Sequence, residues 1–509
     1  MNYADLFRVT LPETALEIAA ILVLIVDLAF LRKAVLQTRV TIAAVLGVAG
    51  CAVALALLPC TGSAGFRFGD ELLLATGGIA GVAQAGILVL TILTLLLFIG
   101  STFTRHTGEY VAVVLMAATG GLIVAAAQDL LVIFVGLELL SLGLYILTAF
   151  NKHSEKSAEA AMKYYLFGGM SAAFLLFGFS YLYGITGSTN LHNVMRAAFF
   201  ATASDGAPML YVALVLIAVG LGFKVAAVPF HLWAPDAYEG APTPAAAFIA
   251  SASKVASFAL LVSIGTAMVH IFDGMNRVVF ISTHTTPLPR YLGLQMPWTQ
   301  ILCLLAAASM LVGNLAALAQ VSVRRLLAYS AIAHAGYILL GIAYLGTSQR
   351  SANAVLYYVL TYGLTTIGAF GVIQVVERAT GSDKLDAFLG LHKRNPLLAA
   401  VLLILLLSLA GIPPLVGFWA KFNLFAAVLA VGAGLVPFAL VALALAMSAV
   451  SLYYYLQVLK RAYVMPAANA TPIEAHPVTM IVLVAIATAV VFCGCFPAIL
   501  QNWIANAHI

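Results

Sequence analysis

Charged side chains are scarce in this sequence. Asp, Glu, Lys and Arg make up 8% of its 509 residues, whereas soluble domains carry about 25%. Hydrophobic residues make up 63%, and a polar stretch such as 273–296 is too short to form a domain of its own. The composition therefore excludes a soluble enzyme or binding domain and indicates a polytopic membrane protein with little structure outside the bilayer.

Motifs for covalent or redox chemistry are also missing. The sequence has no G-x-G-x-x-G, Walker or H-E-x-x-H motif, and its five cysteines form no C-x-x-C pair. We interpret the cysteines as small core residues, because they lie within or at the ends of apolar runs. No basic region precedes the first apolar segment, so we expect no cleavable signal peptide. The sequence predicts a protein that moves ions and holds no cofactor or metal itself.

Long apolar runs are what the chain has in abundance. A membrane helix needs about 20 apolar residues, and fourteen segments meet this criterion. They lie near 14–31, 41–59, 78–100, 110–128, 130–150, 161–184, 208–230, 244–270, 299–320, 326–346, 352–376, 397–430, 435–459 and 478–500. Segments four and five are separated only by Gln128 and Asp129, which predicts a tight hairpin. Residues 191–200 suit a short helix at the membrane interface.

The distribution of Lys and Arg predicts the orientation in the membrane. Fifteen of the 24 basic residues fall in one set of alternate connections and six in the other. The basic set is expected on the cytoplasmic side. Both chain termini then face the outer side, and the net charge of +5 needs no nucleic-acid partner. The remaining three basic residues, Lys224, Lys254 and Lys421, lie within apolar segments.

A weak internal repeat follows from the prolines near two of these lysines. Lys224 in segment seven precedes Pro229 by five residues, and Lys421 in segment twelve follows Pro414 by seven. Because proline breaks helices, we expect segments seven and twelve to be interrupted, and segments 4–8 and 9–13 to form two five-helix repeats of inverted topology. The predicted fold is one all-α domain over 1–509 with fourteen transmembrane helices. Its parts are 1–105, 106–272, 298–462 and 463–509.

The buried ionisable residues point to an ion path. A lone ammonium at the centre of a membrane helix costs about 2.5–3.5 kcal/mol, so three such lysines call for a function. Glu138 in segment five could pair with Lys224 and keep both groups charged. Taken alone, Glu138 and Lys224 could equally form a static ion pair that only holds two helices together. Lys254 has no comparable acid in its own segment, and we expect the serines of Ala-Ser-Ala-Ser (250–253) and water to solvate it.

Several other polar residues leave alternatives open. His334 in segment ten could relay protons between lysines or simply pack. His231 is predicted on the same helical face as Lys224 and could admit protons or simply sit at the membrane interface. Lys163 in segment six could also admit protons, or its side chain could extend to the lipid headgroups.

The first segment and the thirteenth carry further polar side chains. Asp27 and Glu17 of segment one are expected to make packing or partner contacts. The run Tyr453 to Tyr455 fits an interfacial aromatic belt.

Six stretches of the sequence are similar to a known family. They are LELLSLGLYIL (137–147), AMKYYLFGG (161–169), GFKVAAVPFHLWAPDAYEGAPTP (222–244), SASKVASF (251–258), RRLLAYSAIAHAGY (324–337) and SLAGIPPLVGFWAKF (408–422). They resemble the antiporter-like membrane subunits of bacterial complex I, the proton-pumping NADH:quinone oxidoreductase, and within it the subunit N group. The resemblance spans nearly the whole chain, although the 273–298 connection is longer than expected. Subunit M has glutamate where Lys421 stands.

The resemblance implies a proton-translocating subunit of a bacterial inner-membrane enzyme. The proton-transfer roles that the resemblance implies carry over to Glu138, Lys224, Lys254, His334 and Lys421. Flavin, iron–sulfur clusters and quinone are implied in partner subunits. Subunits K and M are the expected neighbours, together with the lateral helix of subunit L. The alternatives are a subunit of a multi-subunit cation/proton antiporter, whose fifth segment lacks the ELLSLGLYIL character, and a scaffold that transports nothing.

Overall fold

The chain is a bundle of helices with one small hairpin of strands. The computed structural model describes residues 3–62, 65–69, 71–201, 207–283, 295–346, 349–431, 434–467 and 471–507. The helices of the first half are α1 (Tyr3–Val9), α2 (Leu11–Ile25), α3 (Leu36–Thr61), α4 (Gly78–Phe98), α5 (Thr107–Ala126), α6 (Leu130–Thr148), α7 (Glu155–Thr186), α8 (Leu191–Ala201), α9 (Ala207–Val225), α10 (Trp233–Gly240) and α11 (Thr243–Ala250). Those of the second half are α12 (Ala252–Thr283), α13 (Gln295–Leu318), α14 (Val323–Ala343), α15 (Gln349–Thr380), α16 (Leu391–Arg394), α17 (Pro396–Ala410), α18 (Val416–Val431), α19 (Leu435–Tyr463), α20 (Pro477–Cys495) and α21 (Pro497–Asn506).

Many of these helices have the length and composition of membrane spans. Within the described residues, twelve are long and apolar enough to cross a bilayer, with α11 and the start of α12 counted as one span. Two further apolar helices, α17 and α18, are shorter and follow each other directly. A π-helical turn, Val26–Phe30, extends α2. The chain is therefore a multi-pass membrane protein, as the composition predicts.

The centre of the bundle is formed by α11, α12, α14 and α15, whose apolar windows are almost entirely buried. Close packing there depends on small residues. A Cβ added at Gly313 of α13 would lie 2.5 Å from the Ala333 nitrogen of α14, and one at Gly336 would lie 2.8 Å from the Ala306 carbonyl oxygen. Small residues let membrane helices approach each other closely. Helices α3, α19 and α20 bury well under half of their apolar windows and so lie nearer the periphery.

The connections that carry most of the Lys and Arg residues lie together at one end of the bundle, here called the basic end. Lys156 pairs with Glu239 across 3.2 Å, and the Arg394 Nε donates to the Thr471 carbonyl. At the opposite end, α5 and α6 form the predicted tight hairpin. The Asp129 carboxylate caps α6 by accepting from the Leu131 and Val132 backbone N–H groups. Residues 191–200 form α8 as predicted.

Both predicted helix interruptions are present. Helix α9 ends at Val225, four residues before Pro229, and Ala226 follows with a positive φ of 59°. Helix α17 ends at Ala410, and α18 begins only at Val416. The Pro-containing stretch between them breaks the helix because proline cannot donate a backbone hydrogen bond. The prediction of a broken helix twelve is confirmed.

Other predicted boundaries were wrong. Segment eight is divided at Ser251 into α11 and α12, and α12 continues to Thr283 instead of ending near residue 270. The rest of the long 273–298 connection, residues 284–294, lies outside the described part of the chain. Segment fourteen ends at Cys495, where Phe496 separates α20 from α21.

The fold also contains features that an all-α prediction lacks. Strands β1 (Gly65–Phe68) and β2 (Glu71–Ala75) form an antiparallel hairpin with Gly65 opposite Ala75. All five cysteines are free, but only Cys51 is buried; Cys60 and Cys495 are exposed, so the core interpretation was wrong for these two.

The two acidic residues of segment one differ in their surroundings. Asp27 accepts two hydrogen bonds from Arg39, at 2.8 and 2.7 Å, and so packs α2 against α3. Glu17 is exposed.

Candidate ion-translocation site

The predicted pair of Glu138 and Lys224 is present in the structure. The Lys224 Nζ lies 3.2 Å from the Glu138 Oε1 and donates to the Ser141 Oγ at 2.6 Å. Glu138 and Ser141 are one turn apart on α6, so both face the same lysine. Lys224 is buried, whereas the Glu138 side chain is 24% exposed at the bundle surface. The pair therefore extends from the buried interior of the bundle to its outer surface.

Lys254 is solvated by backbone carbonyls. Its Nζ donates to the Ala331 carbonyl at 3.0 Å and approaches the Val225 carbonyl at 3.4 Å. Val225 is the last residue of α9, and the carbonyls at a helix end have no donor within their own helix. The serines expected to solvate Lys254 do not do so: Ser251 and Ser253 donate to carbonyls four residues earlier in the chain. Among the described residues, no carboxylate forms an ion pair with Lys254.

His334 lies in the core at a junction of tyrosines. Its Nδ1 is 2.8 Å from the Tyr358 Oη, and its Nε2 is 3.5 Å from the Tyr455 Oη. The ring is buried, and it contacts the ring of Tyr362 at 4.9 Å between centroids. A neutral imidazole donates with one nitrogen and accepts with the other. The His334 ring can therefore pass a proton between the hydroxyls of Tyr358 and Tyr455, or keep its proton in a fixed hydrogen bond.

Lys421 is held where the second broken helix ends. Its Nζ donates to the Ala410 carbonyl at 2.8 Å and to the Ser448 Oγ at 2.7 Å. Ala410 is the last residue of α17, so this carbonyl is free for the same reason as that of Val225. Gly411 follows with a φ of 89°, and a Cβ added there would lie 2.9 Å from the Lys421 Cδ. The break thus creates both the acceptor and the space for the lysine.

These buried groups form a continuous line of contacts across the bundle. The Lys254 Nζ lies 6.0 Å from the centre of the Tyr362 ring, which packs against His334. On its other side His334 meets Tyr337 at 5.7 Å, and the Lys421 Nζ lies 5.5 Å from the Tyr337 ring. A cavity of about 10 Å³ separates His334 from the α17–α18 break, which is roughly the volume that one water needs.

The two predicted access residues are not brought together. Lys163 lies at the basic end, where its Nζ donates to Asp236 at 2.9 Å and to Glu159 at 2.6 Å. Lys163 is thus paired with two carboxylates at the bundle surface, where its side chain is 42% exposed. His231 lies in the turn after α9, so the predicted shared helical face with Lys224 was wrong. Its ring is buried and meets Tyr329 edge-on at 6.5 Å.

The carboxylates of α10 are held ionised at the basic end. Burial by itself would raise the pKa of Asp236, but hydrogen bonds from Lys163 and Arg325 outweigh it and lower that pKa. Glu239 behaves in the same way: burial opposes ionisation, and Arg325 and Lys156 lower its pKa. The Arg325 Nη1 contacts both acids, at 2.7 and 3.0 Å. This network fastens α10 to α7 and α14.

Sequence reasoning missed the tyrosines and amides that line the site. Tyr454 and Tyr455 were assigned to an interfacial belt, but both are fully buried, and only Tyr453 is exposed. The Tyr454 Oη donates to the Asn314 Oδ1 at 3.1 Å, and the Asn314 Nδ2 donates to the Tyr337 Oη at 3.1 Å. An asparagine inside an apolar segment is a signal that could have identified part of this network.

The fold and the site define a class of protein: a multi-pass membrane protein in which broken helices hold buried lysines along a polar line. A family model described as "NADH:quinone oxidoreductase/Mrp antiporter, TM" matches residues 127–295 and 284–451. These matches cover more than half of the sequence. The chain belongs to this family, and the predicted resemblance is confirmed.

Individual relatives agree with this assignment. "NADH-quinone oxidoreductase subunit N 2" of Acidobacterium capsulatum is 48% identical, with 99% of each chain covered. A chain of respiratory complex I from Thermus thermophilus with bound aureothin is 34% identical, with a TM-score of 0.76, over 96% of this chain and 98% of that one. A chain of the Mrp complex from Dietzia has a TM-score of 0.77 over 97% of each chain, but at 21% identity it shows a shared fold alone.

Proposed function

We propose that this chain is a proton-translocating subunit of the membrane arm of an NADH:quinone oxidoreductase. The observation that carries the proposal is the line of contacts from Lys254 through His334 to Lys421. Family membership and relatives named subunit N support it. Flavin, iron–sulfur clusters and quinone would be held by partner subunits, with subunits K and M and the lateral helix of subunit L as neighbours.

In the proposed mechanism, the Glu138–Lys224 pair controls the proton on Lys224. While Glu138 lies beside it at 3.2 Å, the carboxylate stabilises the ammonium form. When the two separate, burial favours neutral Lys224, and its proton moves toward Lys254. The Lys254 Nζ approaches the Val225 carbonyl at 3.4 Å, and Val225 directly follows Lys224 in the chain. His334 and the surrounding hydroxyls would connect Lys254 to Lys421, where the proton leaves toward the outer side.

The proposed topology has fourteen transmembrane helices with both termini on the outer side of a bacterial inner membrane. The twelve long spans are supplemented by α2 with its π-helical extension, and by α17 and α18 as two halves of one helix. Helices four to eight and nine to thirteen would form the two inverted repeats. The helix breaks after Val225 in helix seven and after Ala410 in helix twelve, five helices apart, support this symmetry.

Purification from native membranes tests the proposed function. A tagged chain should co-isolate with flavin and iron–sulfur subunits, and vesicles that contain the complex should take up protons when NADH is oxidised. Co-isolation with cation/proton antiporter subunits alone would establish the alternative. An intact, NADH-oxidising complex whose proton-to-electron ratio is unchanged when the buried lysines of this chain are replaced by alanine would support a scaffold.

A further inference from the structure

A polar cleft at the basic end leads toward Lys254 along one helix. The cleft has a volume of about 570 Å³, and its wall includes Thr243, Arg324, Gln374 and Glu377. Glu377 accepts from the Thr243 hydroxyl at 2.7 Å and from the Arg324 Nη1 at 3.1 Å, while its side chain stays 32% exposed. The carboxylate is therefore both fixed in position and open to the cleft.

Helix α15 runs from this cleft to the buried lysine. Gln374, Phe370, Thr366 and Tyr362 are spaced four residues apart, so they share one face of the helix. From Gln374 to Tyr362 this face covers roughly 18 Å. Tyr362 ends the row next to Lys254, whose Nζ lies 6.0 Å from its ring. The row thus connects the cleft with the centre of the candidate site.

The polar atoms on this row have no partner in the described protein. They are the Gln374 Oε1, the Thr366 Oγ1 and the Tyr362 Oη, and the Tyr238 Oη of α10 is a fourth. All four side chains are more than nine-tenths buried. The Tyr362 hydroxyl lies close to that of Thr366, and Tyr238 lies near Tyr362, but neither pair has the full geometry of a hydrogen bond.

Buried polar atoms in proteins are almost always satisfied, by protein groups or by ordered water. Four such atoms along one line are therefore places where water would bind. The row has a single apolar member, Phe370, whose ring meets that of Tyr238 edge-on at 5.8 Å. This aromatic contact lies between Gln374 and Thr366 and is the narrow point of the row.

The other polar surface at the basic end is a less suitable route. Near Lys163, Asp236 and Glu239 are each paired with two cations. The rings of Tyr164, Trp233 and Phe223 stack in a row that begins next to Lys163 and ends next to Lys224, with centroids 4.1 and 5.2 Å apart. Aromatic rings therefore occupy the space between Lys163 and Lys224.

We propose that protons reach Lys254 from the basic-end cleft along a water-lined path that passes Glu377, Gln374, Tyr238, Thr366 and Tyr362. The inference rests on the proposed function and specifies its access route. Glu377 collects the proton at the cleft, and the hydroxyls and the amide order the water that carries it. This route replaces the predicted access through Lys163 and His231.

Conservative variants of the path test this route. Thr366→Val and Tyr238→Phe keep the size of the side chains but remove the hydroxyls that bind water. Each should lower NADH-driven proton uptake several-fold per assembled complex. Thr94→Val is the matched control, because Thr94 is equally buried but its hydroxyl already bonds to the Leu90 carbonyl. Normal uptake in both path variants would overturn the proposal.

Labelling gives a readout that does not depend on activity. In a complex with the native cysteines of this chain replaced by serine or alanine, Thr366→Cys should react with Ag⁺, a thiol reagent narrow enough for a water-lined path, when it is applied from the cytoplasmic face. Thr94→Cys should stay unlabelled. Absence of labelling at Thr366→Cys, or labelling from the outer face alone, would contradict the path.

The route and the proposed function fail in different ways. If Lys254→Ala pumps normally, the proposed role of the lysine relay is wrong and the route falls with it. If Lys254→Ala loses pumping while the path variants pump normally and Thr366→Cys stays unlabelled, only the route is wrong.

Discussion

The Lys421 ammonium donates to the Ala410 carbonyl across 2.8 Å, and Ala410 is the residue at which α17 ends. Lys254 approaches the Val225 carbonyl at the end of α9 in the same way. In both places a broken helix provides the acceptor that an intact helix would use internally. A lysine without a carboxylate partner can therefore stay in the membrane core and still lose its proton.

Gly411→Ala should impair proton pumping at the Lys421 site. The added Cβ would lie 2.9 Å from the Lys421 Cδ, and the residue would have to keep a φ of 89°. The left-handed backbone alone costs about 1 kcal/mol for a non-glycine residue, and the displaced lysine adds a functional defect. Gly187→Ala is the control, with a φ of 70° and open space around it. Equal pumping by both variants, measured per assembled complex, would disprove the spatial role of Gly411.

Glu138→Gln should lower NADH-driven proton pumping while the complex still assembles. The amide keeps the shape of the side chain and one acceptor oxygen, but Lys224 loses its counter-charge at 3.2 Å. Burial then favours neutral Lys224. Glu109→Gln, at an exposed carboxylate, is the control. An unchanged proton-to-electron ratio and turnover in the Glu138 variant would count against the pair.

Substitutions at Lys254 distinguish the role of a proton carrier from that of a structural residue. Arginine does not release its proton at physiological pH, whereas a desolvated lysine does. Lys254→Arg and Lys254→Ala should therefore both assemble and both pump poorly. A structural lysine predicts that arginine is tolerated and alanine prevents assembly. Proton pumping by reconstituted vesicles, normalised to the amount of assembled complex, distinguishes the two roles. Near-normal pumping by Lys254→Arg would exclude the relay role.

Tyr358→Phe should slow pumping if His334 relays protons. The variant removes the hydroxyl 2.8 Å from the His334 Nδ1 and leaves the ring in place. Tyr357→Phe is the matched control, because Tyr357 is the next residue, is equally buried, and its Oη has no partner in the described protein. Equal rates for the two variants would assign His334 to packing.

The contribution of Asp236 to stability should disappear only in acid. Its pKa is lowered in the folded protein, because hydrogen bonds from Lys163 and Arg325 outweigh burial. A carboxylate with a lowered pKa stabilises the fold fully above its unfolded-state pKa, about 4, and loses this contribution as the pH falls through the folded value. Asp236→Asn should therefore reduce the thermal stability of the purified complex at pH 7.

The same comparison at lower pH checks the sign of this effect. The difference between the wild type and Asp236→Asn should stay constant from about pH 8 to pH 5 and shrink below about pH 4. Asp386→Asn is the control, since the Asp386 side chain is 81% exposed and its carboxylate comes no closer than 3.8 Å to Arg461. A difference that grows on acidification would show that Asp236 is not held ionised.

The sequence by itself determined the membrane class, the family and the identity of the buried charges. Lys224, Lys254 and Lys421 stand out because apolar segments contain almost no other charge. The breaks after α9 and α17 were predictable because proline and glycine mark them locally. The pairing of Glu138 with Lys224 was also anticipated, since each is the charge that the other needs.

Only the tertiary structure decided how each charge is solvated. The acceptors of Lys254 are a carbonyl from α9 and one from α14, and backbone carbonyls carry no signal in the sequence. The break at Ser251 has neither proline nor glycine beside it. Tyr454 and Tyr455 end an apolar segment, as belt residues do, but the packing of α19 against α13 and α14 turns them inward to Asn314 and Ser330. Hydrogen bonds between helices distant in sequence depend on how those helices pack, which local composition does not determine.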